Sequence, residues 1–357
     1  MRSACQFLLL MVSAWTISGC GLPYYWQAVG GQISILRQRT PIESVLTDAA
    51  QDPAVKASLR GVAAIRRFAV DRLMLPDNDS YTSYVELDRS YVVWNVIAAE
   101  EFSVDAKTWC FPFAGCVAYR GFFDRADAER FQAGLERQGL DTHSGGASAY
   151  STLGYFDDPI LNTMLTGGEE YIAALLFHEL AHQQLYIKDD SELSEAFATS
   201  VEEYGMEAWL KEHYQTEDIE RYRQRHARRT QFDELVSRQQ SRLREIYAGQ
   251  LSDQDKRARK LDAFIEMRSE YETMNRQWGG SGDYDAWFAQ PLNNATLAAV
   301  ATYRRWLPAL RWRLDELGTV DFFAEIARLA ELPATERSTW LEAWSEKRSA
   351  PGGLAQL

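Results

Sequence analysis

Apolar residues recur at three- and four-residue spacing from residue 21 to 75, through YYWQAVGGQISILRQ and PIESVLTDAAQDPAVKASLRGVAAIRRFAVDRL. The pattern predicts helices interrupted at Pro41 and Pro53. From Tyr81 to Phe123 the period shortens to β-branched and aromatic runs, YTSYVEL, YVVWNVIAA and CVAYRGFF, which predict a small antiparallel sheet. Residues 124–138 return to amphipathic helical spacing, and the small, polar stretch from Asp141 to Leu153 predicts an edge strand. Thr166-Gly-Gly-Glu169 has the form of a capping box ahead of an apolar periodic segment, so a helix is expected from about Gly167 to Tyr186. Leu193, Ala196, Phe197 and Val201 mark the next one. Charge then rises: 27 of the 65 residues from 211 to 275 are Asp, Glu, Lys or Arg. Beneath that charge the apolar positions keep helical spacing, predicting two long helices with solvated faces and Gly249 as a turn. Beyond Gly279-Gly280-Ser281-Gly282, apolar helices return.

These elements describe one mainly helical α+β unit. Composition agrees with a packed core: 46% of the 357 residues are apolar and 25% charged. The 38 Lys and Arg against 51 Asp and Glu give a net charge of −13, which disfavours a nucleic-acid partner held by phosphate neutralisation. No run of apolar residues is long enough for an integral helix bundle. Arg2 followed by the apolar stretch Phe7 to Ile17 is of signal-peptide length. It ends in Ile17-Ser18-Gly19-Cys20, which resembles the lipobox of bacterial lipoproteins; an ordinary secretory signal with a chance cysteine is the alternative. The resemblance implies cleavage after residue 19, lipidation of Cys20 and anchoring to a membrane. Gly21, where a retained lipoprotein has Asp, implies the periplasmic face of the outer membrane. With Cys5 removed and Cys20 acylated, Cys110 and Cys116 remain, and in an oxidising compartment they are expected to pair. The expected organisation is a signal at 1–19, a unit at 20–210 carrying N-terminal helices, sheet and catalytic core, and a helical extension at 211–357 that covers a cleft.

The chemistry lies in His178-Glu179-Leu180-Ala181-His182. Residues i and i+4 share a helix face, so both imidazoles can reach one ion while Glu179 approaches a water held there. With 5 histidines in the chain, about 0.01 such matches are expected by chance. His143, His213 and His226 have no comparable spacing. A catalytic zinc needs a third protein ligand. Glu192, Glu195 and Glu202 share one helix downstream, and small residues flanking Glu195 allow that helix close approach.

HELAH followed by SEAFATSVEEYG resembles the gluzincin metallopeptidases. More narrowly, YYWQAVGGQ, GCVAYRGFF, LGYFDDPIL, HELAHQQLY, the SEAFA helix and FAQPLNNATL are similar to a family of bacterial proteins described as predicted aminopeptidases. The resemblance implies a gluzincin-like core and one zinc ion held by His178, His182 and Glu195. It implies a zinc-activated water attacking a peptide carbonyl, with Glu179 as general base and then acid. Tyr303 or Tyr284 would stabilise the oxyanion. Substrate backbone would add to the strand before the metal helix, at Gly146 to Leu153. An aminopeptidase also needs an acid for the substrate amine, for which Asp157-Asp158 and Glu169-Glu170 are nearest in sequence; Glu169 is expected to cap its helix, which leaves Asp157 and Asp158 as the candidates. The competing readings are a zinc endopeptidase or amidase of envelope substrates, and a non-catalytic metal-binding envelope lipoprotein.

Overall fold

The computed structural model describes residues 22–111, 115–301 and 305–349. The signal segment, Cys20 and Tyr303 lie outside the described residues. Three helices open the chain, α1 (Leu22–Arg37), α2 (Ile42–Thr47) and α3 (Pro53–Leu73), with the two-residue strand β1 (Thr40–Pro41) between the first two. Asp52 caps α3 by accepting from the Ala54 amide, and Pro53 takes the first helical position, where its missing donor costs nothing.

The β region is three small sheets rather than the single one expected. β2 (Ser83–Val85) pairs antiparallel with β1 and parallel with β8 (Ile160–Leu161). β3 (Val93–Ala99) is the centre of an antiparallel sheet between β6 (Arg120–Phe122) and β7 (Asp141–Ala147), so β7 is an edge strand. β4 (Trp109–Phe111) and β5 (Gly115–Val117) form a hairpin in which Cys110 faces Cys116, and the two are disulfide-bonded. Alternation marks a strand but not its partner, which depends on where its apolar side chains bury. Tyr84 and Val85 bury with Ile160 and Leu161 in the main helical core, whereas Val96, Ala98 and Phe122 bury under α4 (Arg125–Glu136).

The remaining helices are α5 (Gly168–Gln184), α6 (Ser191–His213), α7 (Thr216–Ala248), α8 (Asp253–Gln277), α9 (Asp285–Ala289), α10 (Asn294–Ala301), α11 (Leu307–Ala330) and α12 (Ala334–Ser349). The capping box expected at Thr166 does not form. The Thr166 hydroxyl donates to the Thr163 carbonyl at 3.1 Å within the 3-10 helix Asn162–Gly167, and Gly167 precedes α5 without a side-chain cap. Glu169 and Glu170 in the first turn instead complement the helix dipole.

The main core joins α3, α5, α6 and α11 through Leu59, Phe177, Phe197, Trp209 and Phe322, all buried. A second cluster lies between α7 and α8, around Phe232, Leu243, Met267 and Phe288. Among the described residues no helix is long and apolar enough to cross a membrane. Asn294, fully buried at the start of α10, links the charged helices to the sheet. Its amide donates to the Glu100 and Glu101 carbonyls at 3.1 and 2.9 Å and accepts from the Tyr247 hydroxyl at 2.9 Å. Asn294→Ala removes these bonds and leaves the buried Tyr247 hydroxyl without its acceptor, and is expected to cost about 2–3 kcal/mol, read as a lower urea midpoint with metal content unchanged.

Candidate metal centre

α5 is apolar over much of its circumference, with Ile172, Ala173, Leu176, Phe177, Leu180 and Ala181 buried, so it runs through the core with only one polar seam. His178 and His182 stand one turn apart on that seam, 3.1 Å between their Nε2 atoms. α6 returns alongside. Asp190 accepts from the Leu193 amide at its start and is held in turn by Arg337, at 3.0 and 2.7 Å. Ser194 is buried and ties off the loop between the two helices, its hydroxyl donating to the Ile187 carbonyl at 3.1 Å and accepting from the Ile187 amide at 3.0 Å. Ala196 and Ala198 are buried and small, and Glu195 is carried to the histidines: its Oε2 lies 3.3 Å from His178 Nε2 and 3.5 Å from His182 Nε2.

Among the described residues this trio is the group that can hold a metal ion. Its edges of 3.1, 3.3 and 3.5 Å test the fit directly. Tetrahedral ligands at about 2.0–2.1 Å from zinc lie roughly 3.3 Å apart, so the three atoms outline one face of such a tetrahedron. The donor set, two imidazoles and a carboxylate, suits zinc with one position left open.

The electrostatics follow from the pairing. Burial would lower the His178 pKa, but hydrogen bonds to Glu195 and Glu202 hold it well above the usual value. Burial would raise Glu195, but the two histidines hold it down at about 2. An ion held by the trio would bind His178 through an unprotonated Nε2. Desolvation raises Glu179, which lies beside both histidines without joining the trio.

Sequence reasoning offered Glu202, on the same helix as Glu195, as one of the candidates for the third ligand; the structure gives it a different contact. It lies seven residues on, two turns along the same face, and its Oε2 meets His178 Nδ1 at 3.1 Å. Arg229 of α7 stands 3.9 Å from the other oxygen of Glu202. The carboxylate fixes the imidazole's tautomer and orientation, leaving Nε2 for the metal. Glu202→Gln is expected to weaken zinc affinity about 10- to 100-fold without unfolding the protein, measured by competition with a chelator of known affinity.

A cleft of about 780 Å³ opens over the trio, lined by His178, Glu179, His182 and Glu195. Tyr119, on the segment after the disulfide hairpin, and Tyr186 also line it. Desolvation and then the Glu195 carboxylate push both hydroxyls up. Tyr284 is elsewhere, stacked on Phe232 at 3.8 Å within the second cluster. Asp158 is buried and does not line the cleft; its carboxylate accepts from the Thr152 amide and hydroxyl, both at 2.8 Å, and from the Ser151 hydroxyl at 3.3 Å. Burial raises it to about 6 against those hydrogen bonds. Asp157 is exposed, and its carbonyl accepts from Arg39 at 2.9 Å. Both serve the turn rather than the trio. The acid that sequence did not single out is Asp233 on α7, which does line the cleft.

A family model described as "Putative aminopeptidase" matches residues 23–341, and the chain belongs to that family. No curated protein and no solved structure matches it.

Proposed function

We propose that this member of the aminopeptidase family is a zinc-dependent metallopeptidase of the gluzincin type that removes residues from the free N-terminus of peptides. The observation that carries the reading is the trio of His178, His182 and Glu195 at tetrahedral-edge distances, with Glu179 beside it in the cleft. Zinc, when bound, supplies Lewis acidity and brings water toward ionisation at neutral pH. Glu179 accepts the proton of the attacking water and returns it to the leaving nitrogen. Tyr119 and Tyr186 offer hydroxyls to the developing oxyanion, in place of Tyr284. With Glu195 in the trio, Glu202 supporting it and Glu179 serving proton transfer, Asp233 is the further acid lining the cleft, and it receives the substrate's free amine. The free edge of β7, which runs on into the cleft at Ala149 to Leu153, accepts substrate backbone by strand addition. Residues from 211 onward form the cleft's roof, with Arg229, Asp233, Ala299 and Val300 among its lining.

Lipid anchoring through Cys20 completes the proposal and places the enzyme on the periplasmic side of an outer membrane. Supporting it, α1 begins at Leu22 and has no charged residue before Arg37, in a chain of net charge −13. Its outer stripe of Trp26, Val29 and Ile33 is exposed, which suits a helix lying near lipid.

The test is to express residues 21–357, quantify zinc, and compare free peptides with N-acetylated copies. One zinc per chain with a strong preference for the free amine supports an aminopeptidase. Equal rates on both identify an endopeptidase, and zinc without hydrolysis of any peptide identifies a binding lipoprotein. Asp233→Asn should raise KM for free peptides only, whereas Asp157→Asn and Asp158→Asn should leave it unchanged.

A further inference from the structure

The segment YYWQAVGGQ is not consumed by metal chemistry, yet the fold gives one whole face of it a place. α1 lies on the central sheet and forms a wall of the cleft, with Tyr24, Ala28 and Gln32 facing inward at four-residue spacing. Gln27 docks the helix on β6: its amide donates to the Gly121 carbonyl at 3.3 Å and accepts from the Phe123 amide at 3.0 Å. Gly31 makes the approach possible, because a Cβ there would stand 2.2 Å from the Phe123 ring.

This docking brings two side-chain amides to one cavity. Gln32 lines the cleft with both its Oε1 and Nε2 buried and, among the described residues, without a hydrogen-bond partner. Asn95, on the central strand, lines the same cleft with its Oδ1 buried and likewise unpartnered among the described residues. Asn95 stands opposite Gly121 in the register, and a Cβ at 121 would come 3.2 Å from Asn95 Oδ1. Glycine at 121 thus leaves the carboxamide room in a cleft it shares with Glu179 and the trio. Buried polar groups in folded proteins are nearly always paired, so unpaired ones in a ligand cavity point to a partner that arrives with the ligand.

Building on the peptidase reading, we infer that Gln32 and Asn95 form a substrate-binding subsite that recognises an uncharged amide group away from the scissile bond. Gln32 donates to the C=O of that amide and accepts from its N–H, while Asn95 Oδ1 offers a second acceptor. Neither residue supplies a charge, so the group bound there is neutral. A substrate with a peptide unit beyond the cleaved one meets this chemistry, and so does a side-chain carboxamide or acetamido group. A dipeptide, whose single amide is the one cleaved, offers nothing to the pair through its main chain.

The test uses the zinc-loaded protein and a tetrapeptide series in which each non-scissile amide in turn is replaced by an ester. A parallel series exchanges Gln for norleucine at each side chain. The wild type should lose at least tenfold in kcat/KM at one replacement, mostly through KM. Loss in the ester series assigns the subsite to the peptide backbone, and loss in the side-chain series assigns it to a carboxamide. Gln32→Leu should raise KM for the intact tetrapeptide by a similar factor, leave kcat within about twofold and leave dipeptide kinetics unchanged. That variant should also become insensitive to the replacement that weakens the wild type. Indifference of the wild type to every replacement would overturn the inference without needing any variant to fold. So would an equal loss on dipeptide and tetrapeptide in Gln32→Leu, which would mark Gln32 as structural. A wild type that cleaves no peptide would instead remove the peptidase reading, and this inference with it.

Discussion

Glu179→Gln should bind as much zinc as the wild type and hydrolyse peptides about a hundredfold to ten-thousandfold more slowly, the range over which a positioned acid-base group acts. Gln fills the same volume, and Glu179 is not one of the three atoms at ligand spacing, so the trio keeps its geometry. What the substitution removes is the ability to take and return a proton. Glu179 is suited to that exchange: desolvation raises its affinity for a proton while His178 and His182 oppose the rise. Turnover on a free peptide, measured beside zinc content, decides the matter. Retained zinc with an undiminished rate would take the proton-transfer role away from Glu179.

His182→Ala should go further and abolish stoichiometric zinc, leaving hydrolysis undetectable. His182 is the most deeply buried of the trio, 5% exposed, and two ligands cannot hold a catalytic zinc at physiological concentrations. The loss has a second readout that does not require turnover. An ion bound only by the folded protein raises the unfolding temperature by mass action, so a chelator should lower the wild-type Tm and leave that of His182→Ala unmoved. A variant still stabilised by added zinc would mean that the ion binds elsewhere.

The extent to which this site was legible in the chain varies residue by residue. His178 and His182 were readable because the helix repeat alone brings i and i+4 together. Glu195 was readable as a candidate because its helix announces itself by apolar period and its flanks are small. Glu202 carried the same signal, two turns along from Glu195, but whether a carboxylate on that face ligates or supports depends on how α6 crosses α5. Tyr284 and Asp158 were reasonable by residue type and position, yet one stacks on Phe232 in the second cluster and the other closes a turn. Tyr119, Asp233 and Gln32 come to the cleft from a hairpin exit, a charged helix and the first helix, distant in sequence from HELAH.

By itself, then, the sequence determined what local geometry and elementary chemistry determine: the helices, the strand-forming runs, the candidate metal-ligand pair with an acid beside it, and two cysteines close enough to bond. The tertiary structure alone decided how strands that look alike divide among three sheets, and which residues share the cleft with the metal trio. The physical reason is range. A helix turn or a five-residue spacing is set within a few bonds, whereas a cleft is set by which apolar faces bury against one another. Gln32 reaches the cleft only because Gln27 and Gly31 seat its helix against Gly121 and Phe123, some ninety residues away.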